Sequence, residues 1–131
     1  MHTLNIYPPP SEPTVQFKAT SYQVKESDGA MDAILVRSGD LSQRTTVTCY
    51  TRQDSALVEK DFLERPRTMQ SQVTFESGES SKTCSVVIID DNAYERLNYF
   101  RLVLGDISVG SSVGTVNKTI VEIVDDEDSM Y

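Results

Sequence analysis

No stretch of this chain carries apolar residues at helical spacing; they alternate instead over short runs closed by turn residues. That rhythm restricts the chain to strands facing water on one side and a core on the other. Strands are expected at 15–18, 22–25, 31–37, 45–52, 72–75, 83–89, 99–104 and 116–124. Ser38-Gly39-Asp40 and Ser77-Gly78-Glu79 read as turns. The stretch 53–69 holds Pro66 and several charges and reads as a loop; 90–98 has room for one helical turn at most. The fold class that follows is all-β, an antiparallel sandwich of seven to eight strands.

Alternation also assigns faces. Cys84, Val86 and Ile88 share one, Phe100, Leu102 and Leu104 another, and Val121 and Ile123 a third. In the run 45–52, Thr46, Thr48 and Tyr50 are expected to face inward, which turns Cys49 outward while Cys84 points inward. Bridged Cβ atoms lie about 4 Å apart, so this parity opposes a direct disulfide, and a β-bulge would reverse it. Two readings stand: a disulfide, which implies an oxidising compartment, or two buried thiols.

A chain of 131 residues with 38% hydrophobic and 24% charged residues suits one globular domain. It divides into a leader at 1–13, whose Tyr7-Pro8-Pro9-Pro10 reads as a stiff linker, a module at 14–128 and a tail at 129–131. The start lacks a cationic segment followed by an apolar one, so no signal peptide is expected there. The longest apolar runs are too short for direct membrane insertion as a helix. Twenty acidic residues against 12 basic ones leave a net charge of −8, which opposes nucleic acid and anionic lipid as partners. One histidine, His2 in the leader, and two cysteines give neither a zinc site nor a histidine base. Carboxylate pairs without tryptophan sugar platforms do not make a glycosidase, and no enzyme is expected.

The acids are not scattered. If each hairpin reverses the chain, the first, third, fifth and seventh strands counted from 22–25 run in one direction. Their C-terminal ends carry Glu26, the loop with Asp61, Asp90-Asp91 with Glu95, and Asp125-Asp126-Glu127-Asp128. Four acidic clusters, remote in sequence, converge on one pole. Unit charges about 4 Å apart repel by roughly 1 kcal/mol even in water. Such a pole calls for a cation, and oxygen ligands in that number suit calcium (Ca2+) better than magnesium or a transition metal. The alternative is a set of solvated strand ends, since Asp is a common turn residue.

Ordered motifs run through most of the chain. They are Tyr22-x-Val24-x-Glu26, Val36-Arg37-Ser38-Gly39-Asp40, Asp54-Ser55-Ala56 leading to Asp61-Phe62, and Val73-x-Phe75-x-x-Gly78-Glu79. Ile88-Ile89-Asp90-Asp91 with Glu95 and Phe100 follows, then Ile123-Val124-Asp125-Asp126-Glu127. In these the chain resembles a Calx-beta domain, an immunoglobulin-like sandwich that binds calcium at one pole in exchanger regulatory domains. The resemblance implies Glu26, Asp61, Asp90, Asp91, Glu95, Asp125, Asp126 and Glu127 as ligands, with the carbonyl of Ala93 as a further one. It departs at Asn92, where the family has a third acid, and at Glu127, where it often has Asp.

Cys49-Tyr50-Thr51-Arg52-Gln53, Asp61-Phe62-Leu63-Glu64-Arg65-Pro66 and Cys84 are most similar to the Fras/Frem extracellular matrix proteins. That implies a calcium-binding structural and adhesive module of a basement-membrane protein, with calcium rigidifying the pole and the link to the next module. Its partners would be neighbouring modules and other matrix or cell-surface proteins. The alternatives are a cytosolic calcium-sensing domain of a sodium–calcium exchanger and a calcium-independent adhesion sandwich. Asn117-Lys118-Thr119 is an N-glycosylation sequon, consistent with secretion, although a regular strand would turn Asn117 to the face of Val121 and Ile123. Arg65-Pro66-Arg67 reads as a solvated basic spot.

Overall fold

The computed structural model describes residues 11–90 and 98–124, where nine strands form two sheets. One sheet joins β6 (Ser81–Val87), β3 (Ala30–Ser38), β1 (Thr14–Phe17) and β8 (Ser112–Val113), in that order. The other joins β2 (Ser21–Lys25), β9 (Lys118–Val124), β7 (Asn98–Gly105), β4 (Thr45–Gln53) and β5 (Gln72–Phe75). The expected all-β sandwich is the observed fold. The two-residue strand β8 is too short to leave an alternation in the sequence.

Most neighbours are antiparallel, but β1 pairs with β8, and β2 with β9, in parallel. Both pairings arise at the N-terminal edge, where the chain passes from one sheet to the other between Phe17 and Ser21 without a hairpin. The remaining ladders fix direction: β9 is antiparallel to β7, and β7 to β4, so β2, β4 and β9 run the same way.

The core lies between the sheets. Phe17, Leu35, Phe62, Phe75, Phe100 and Leu102 are fully buried, and each contributes on the order of 1.5–3 kcal/mol. The inward faces expected for Cys84, Val86 and Ile88, for Phe100, Leu102 and Leu104, and for Val121 and Ile123 are all observed.

The assignment in β4 is reversed. Val47 and Cys49 are fully buried in the core, with Thr45 and Thr51 on the same face. Thr46, Thr48 and Tyr50 take the opposite face, where the Arg67 guanidinium lies 4.9 Å from the Tyr50 ring centre. Both faces of β4 are therefore covered, and alternation alone could not tell which one meets the other sheet. The correction brings Cys49 beside Cys84, and the two form a disulfide with Cα atoms 6.6 Å apart. It ties β4 of one sheet to β6 of the other.

Arg65 is not a solvated residue. Its Nε donates to the carbonyl of Cys49 (2.8 Å), Nη1 to that of Ser85 (3.2 Å) and Nη2 to that of Ser71 (3.1 Å). Half-burial pulls its pKa below the ordinary value. Arg67 pairs with Asp106 through Nε (2.9 Å) and Nη2 (3.1 Å). These two arginines hold the loop between β4 and β5 against both sheets.

Candidate metal centre

The pole at which β2, β4 and β9 end is organised by three backbone segments. After β2 the chain makes a 3-10 turn, Glu26–Asp28, in which the Asp28 carboxylate accepts from the Lys25 N–H (2.9 Å). Gly29 ends the turn at φ 83°, a left-handed conformation that glycine adopts without steric penalty. Glu26 is thereby turned inward and is 6% exposed.

Asp61 comes from the loop after β4 and is also 6% exposed. Its Oδ2 accepts from the Leu57 N–H at 2.8 Å, and its own N–H donates to the Leu57 carbonyl at 2.9 Å. The next residue anchors it. Phe62 is fully buried and stacks on Phe100, with ring centres 4.2 Å apart and planes inclined by 19°. The loop thus has a rigid base directly beneath the carboxylate.

The end of β6 reaches both segments. Ile88 N–H donates to the Gly29 carbonyl (3.0 Å), Ile89 N–H donates to the Asp61 carbonyl (3.0 Å), and Asp90 follows at the surface. The β9 ladder runs alongside β2 to Val124, opposite Lys25, the residue before Glu26. These strand ends converge in the described backbone, although not through successive hairpins: β2 to β3, β3 to β4, β5 to β6 and β6 to β7 each cross from one sheet to the other.

Of the expected ligands, Glu26, Asp61 and Asp90 belong to these segments. Asp91, Ala93, Glu95, Asp125, Asp126 and Glu127 lie outside the described residues. Among the described residues no group of three or more His, Cys, Asp or Glu could hold a metal ion. What is present fits calcium in kind. Two buried carboxylates supply hard oxygen, and both cysteines are committed to the disulfide, leaving no thiolate for a softer metal. Sequence reasoning missed Asp28, and it named Phe62 within the motif Asp61-Phe62 but not as the support of that carboxylate. The spacing Lys25-x-x-Asp28 before Gly29 was the available signal for the first, and adjacency to Asp61 for the second.

Comparison with known proteins agrees with this architecture. The model of the Calx-beta domain matches residues 10–127. The chain is 48% identical over 117 residues to Extracellular matrix protein 3 of Lytechinus variegatus, a match spanning 86% of this chain and 4% of that protein. It is 44% identical over 120 residues to FRAS1-related extracellular matrix protein 2 of Homo sapiens, spanning 88% of this chain and 4% of that protein. The chain thus corresponds to a small fraction of these relatives. Among solved structures it is similar to the calcium binding domain CBD12 of CALX1.1, with a TM-score of 0.80 and 26% identity. That match covers 86% of this chain and 44% of the other. On its sandwich, its ordered motifs and these relatives, the chain belongs to the Calx-beta domain family.

Proposed function

We propose that this chain, over residues 14–128, is a calcium-binding structural and adhesive module of a larger extracellular matrix protein. The observation that carries the proposal is the burial of Glu26 and Asp61, both 6% exposed, at the pole where β2, β4 and β9 end. Carboxylates held inward on hydrogen-bonded turns are preformed hard oxygens of the kind calcium takes, six to eight to the ion. Calcium would draw its remaining oxygens from Asp90, Asp91, Glu95, Asp125, Asp126 and Glu127, with the Ala93 carbonyl beside them.

The chain works outside the cell. Its relatives at 38–48% identity are extracellular matrix proteins, exchangers following at 27–30%, and the Cys49–Cys84 disulfide suits an oxidising compartment, against the cytosolic sensor. The role is structural rather than catalytic. β1 begins beside Ser38, at the end opposite Glu26 and Asp61, and β9 ends beside Lys25. Modules in series would then meet end to end, with the acidic pole facing the next one. Calcium there would stiffen the junction within the chain and present a fixed surface to other matrix or cell-surface proteins.

Calorimetric calcium titration of metal-stripped protein, paired with thermal melts, tests the reading. Calcium at about 100 times its dissociation constant should add roughly 2.7 kcal/mol per site. For a domain of this length that is about ten degrees in Tm. No heat of binding and coincident melts in chelator and in millimolar calcium would leave a calcium-independent sandwich.

A further inference from the structure

We propose that Asn117 is an N-glycan acceptor, and that the threonine two residues later is kept polar by that modification and not by the fold. Asn117-Lys118-Thr119 is the only Asn-x-Ser/Thr sequence in the chain. The β9 ladder begins at Lys118, so Asn117 does not join the inward face that a longer strand would have given it. It is exposed, while its backbone carbonyl accepts from the Leu104 N–H at 3.0 Å.

Thr119 takes the first inward position of β9 instead, on the face of Val121 and Ile123. It is 1% exposed, and among the described residues its Oγ1 has no hydrogen-bond partner. A buried hydroxyl without a partner costs stability, and valine would fill the same space without that cost. The fold gives no reason for threonine here. The sequon does, because the transferase reads the hydroxyl at this position.

The burial also orders events: the sequon must be read on the extended chain, before β9 closes into the sheet. The donor is an oligosaccharide on a lipid diphosphate. Its sugar C1–O bond breaks, a C1–N bond forms to the Asn117 side-chain amide, one amide proton is lost, and the lipid diphosphate leaves. The seven residues Lys118–Val124 separate Asn117 from the end of β9. At about 3.3 Å per residue that is roughly 23 Å, so the sugar stands on the flank of the sandwich, clear of the acidic pole.

The test is secretion of the chain from mammalian cells behind a cleavable signal sequence, followed by enzymatic removal of N-glycans. Wild type should shift to a faster-migrating form, while Asn117→Gln and Thr119→Val should migrate there untreated. Thr119→Ser should retain the shift. Thr119→Val should also melt at or above deglycosylated wild type. Secreted wild type whose mobility is unchanged by the glycosidase overturns the acceptor assignment. A Thr119→Val variant melting several degrees lower overturns the claim that the fold has no use for the hydroxyl.

Discussion

The backbone N–H of Ile89 donates to the carbonyl of Asp61 at 3.0 Å. This bond fastens the segment leading into Asp90 to the residue that carries a buried carboxylate, although 28 positions separate Asp61 from Ile89 in the chain. The same segment is tied to Gly29 through Ile88. Spacing between the acid-bearing segments is therefore set by main-chain bonds and by the Phe62–Phe100 stack, not by the acids. A pole assembled in this way keeps its shape whether or not the carboxylates attract one another.

Asp61→Asn separates charge from shape. The asparagine oxygen can still accept from Leu57 N–H, so the loop should survive. We expect calcium affinity to fall at least about tenfold, roughly 1.4 kcal/mol. Without metal, the variant should melt at the wild-type temperature or above it, because like-charge repulsion is reduced. Glu76→Gln, at an exposed acid paired with Arg44 (3.7 Å), is the control and should leave affinity unchanged. A lower metal-free melt with unaltered calcium affinity would make Asp61 a loop-capping residue only.

The disulfide closes a loop with a sequence separation of 35. Chain-entropy reasoning assigns such a loop about 4 kcal/mol. The Cys49→Ala/Cys84→Ala double variant should therefore show a clearly lower urea midpoint. Thiol alkylation of the denatured wild type, without reductant, should label neither cysteine.

Arg37 is a buried charge, 3% exposed, held chiefly by main-chain oxygens. Its Nε donates to Glu79 O (3.0 Å), Nη1 to Gln43 O (2.6 Å) and Thr45 Oγ1 (3.0 Å), and Nη2 to Glu76 O (2.8 Å) and Leu41 O (3.2 Å). The guanidinium also lies 5.4 Å from the Phe75 ring centre. Lysine carries the charge without the planar fork. Arg37→Lys should cost about 3–5 kcal/mol, the range for breaking a buried charged network, as measured by denaturant melts. A loss below about 1 kcal/mol would mean that water replaces these bonds readily.

Asp106 has its pKa held below the ordinary value, chiefly by its hydrogen bonds from Arg67. A depressed carboxylate contributes stability that is present above the unfolded pKa, about 3.9, and is lost as pH falls through the lower folded value. Asp106 adopts φ 50°, which asparagine tolerates, so Asp106→Asn removes the charge without forcing the backbone. The variant should be slightly less stable at pH 7 and should lose less than wild type on acidification below about pH 4. Parallel acid titrations of the two proteins would reveal a shared slope if the pair contributes nothing.

Alternating runs such as Phe100, Leu102 and Leu104 determined from sequence alone where every strand but β8 lies and, outside β4, which side meets the core. Reversal of direction from strand to strand also put the ends of β2, β4 and β9 at one pole, although most of the reversals are crossings between sheets and not the expected hairpins. Tertiary structure alone decided the face of Cys49. Both sides of β4 are covered, one by the opposite sheet and one, at Tyr50, by Arg67, so a half-polar alternation of Thr, Cys and Tyr fits either register. Arg37 became core by a similar route: its inward parity was written in β3, but only the returning segments at Leu41, Gln43, Glu76 and Glu79 supply the oxygens that make burial tolerable. Alternation is a local property of a strand, whereas what covers each face depends on chain segments distant in sequence.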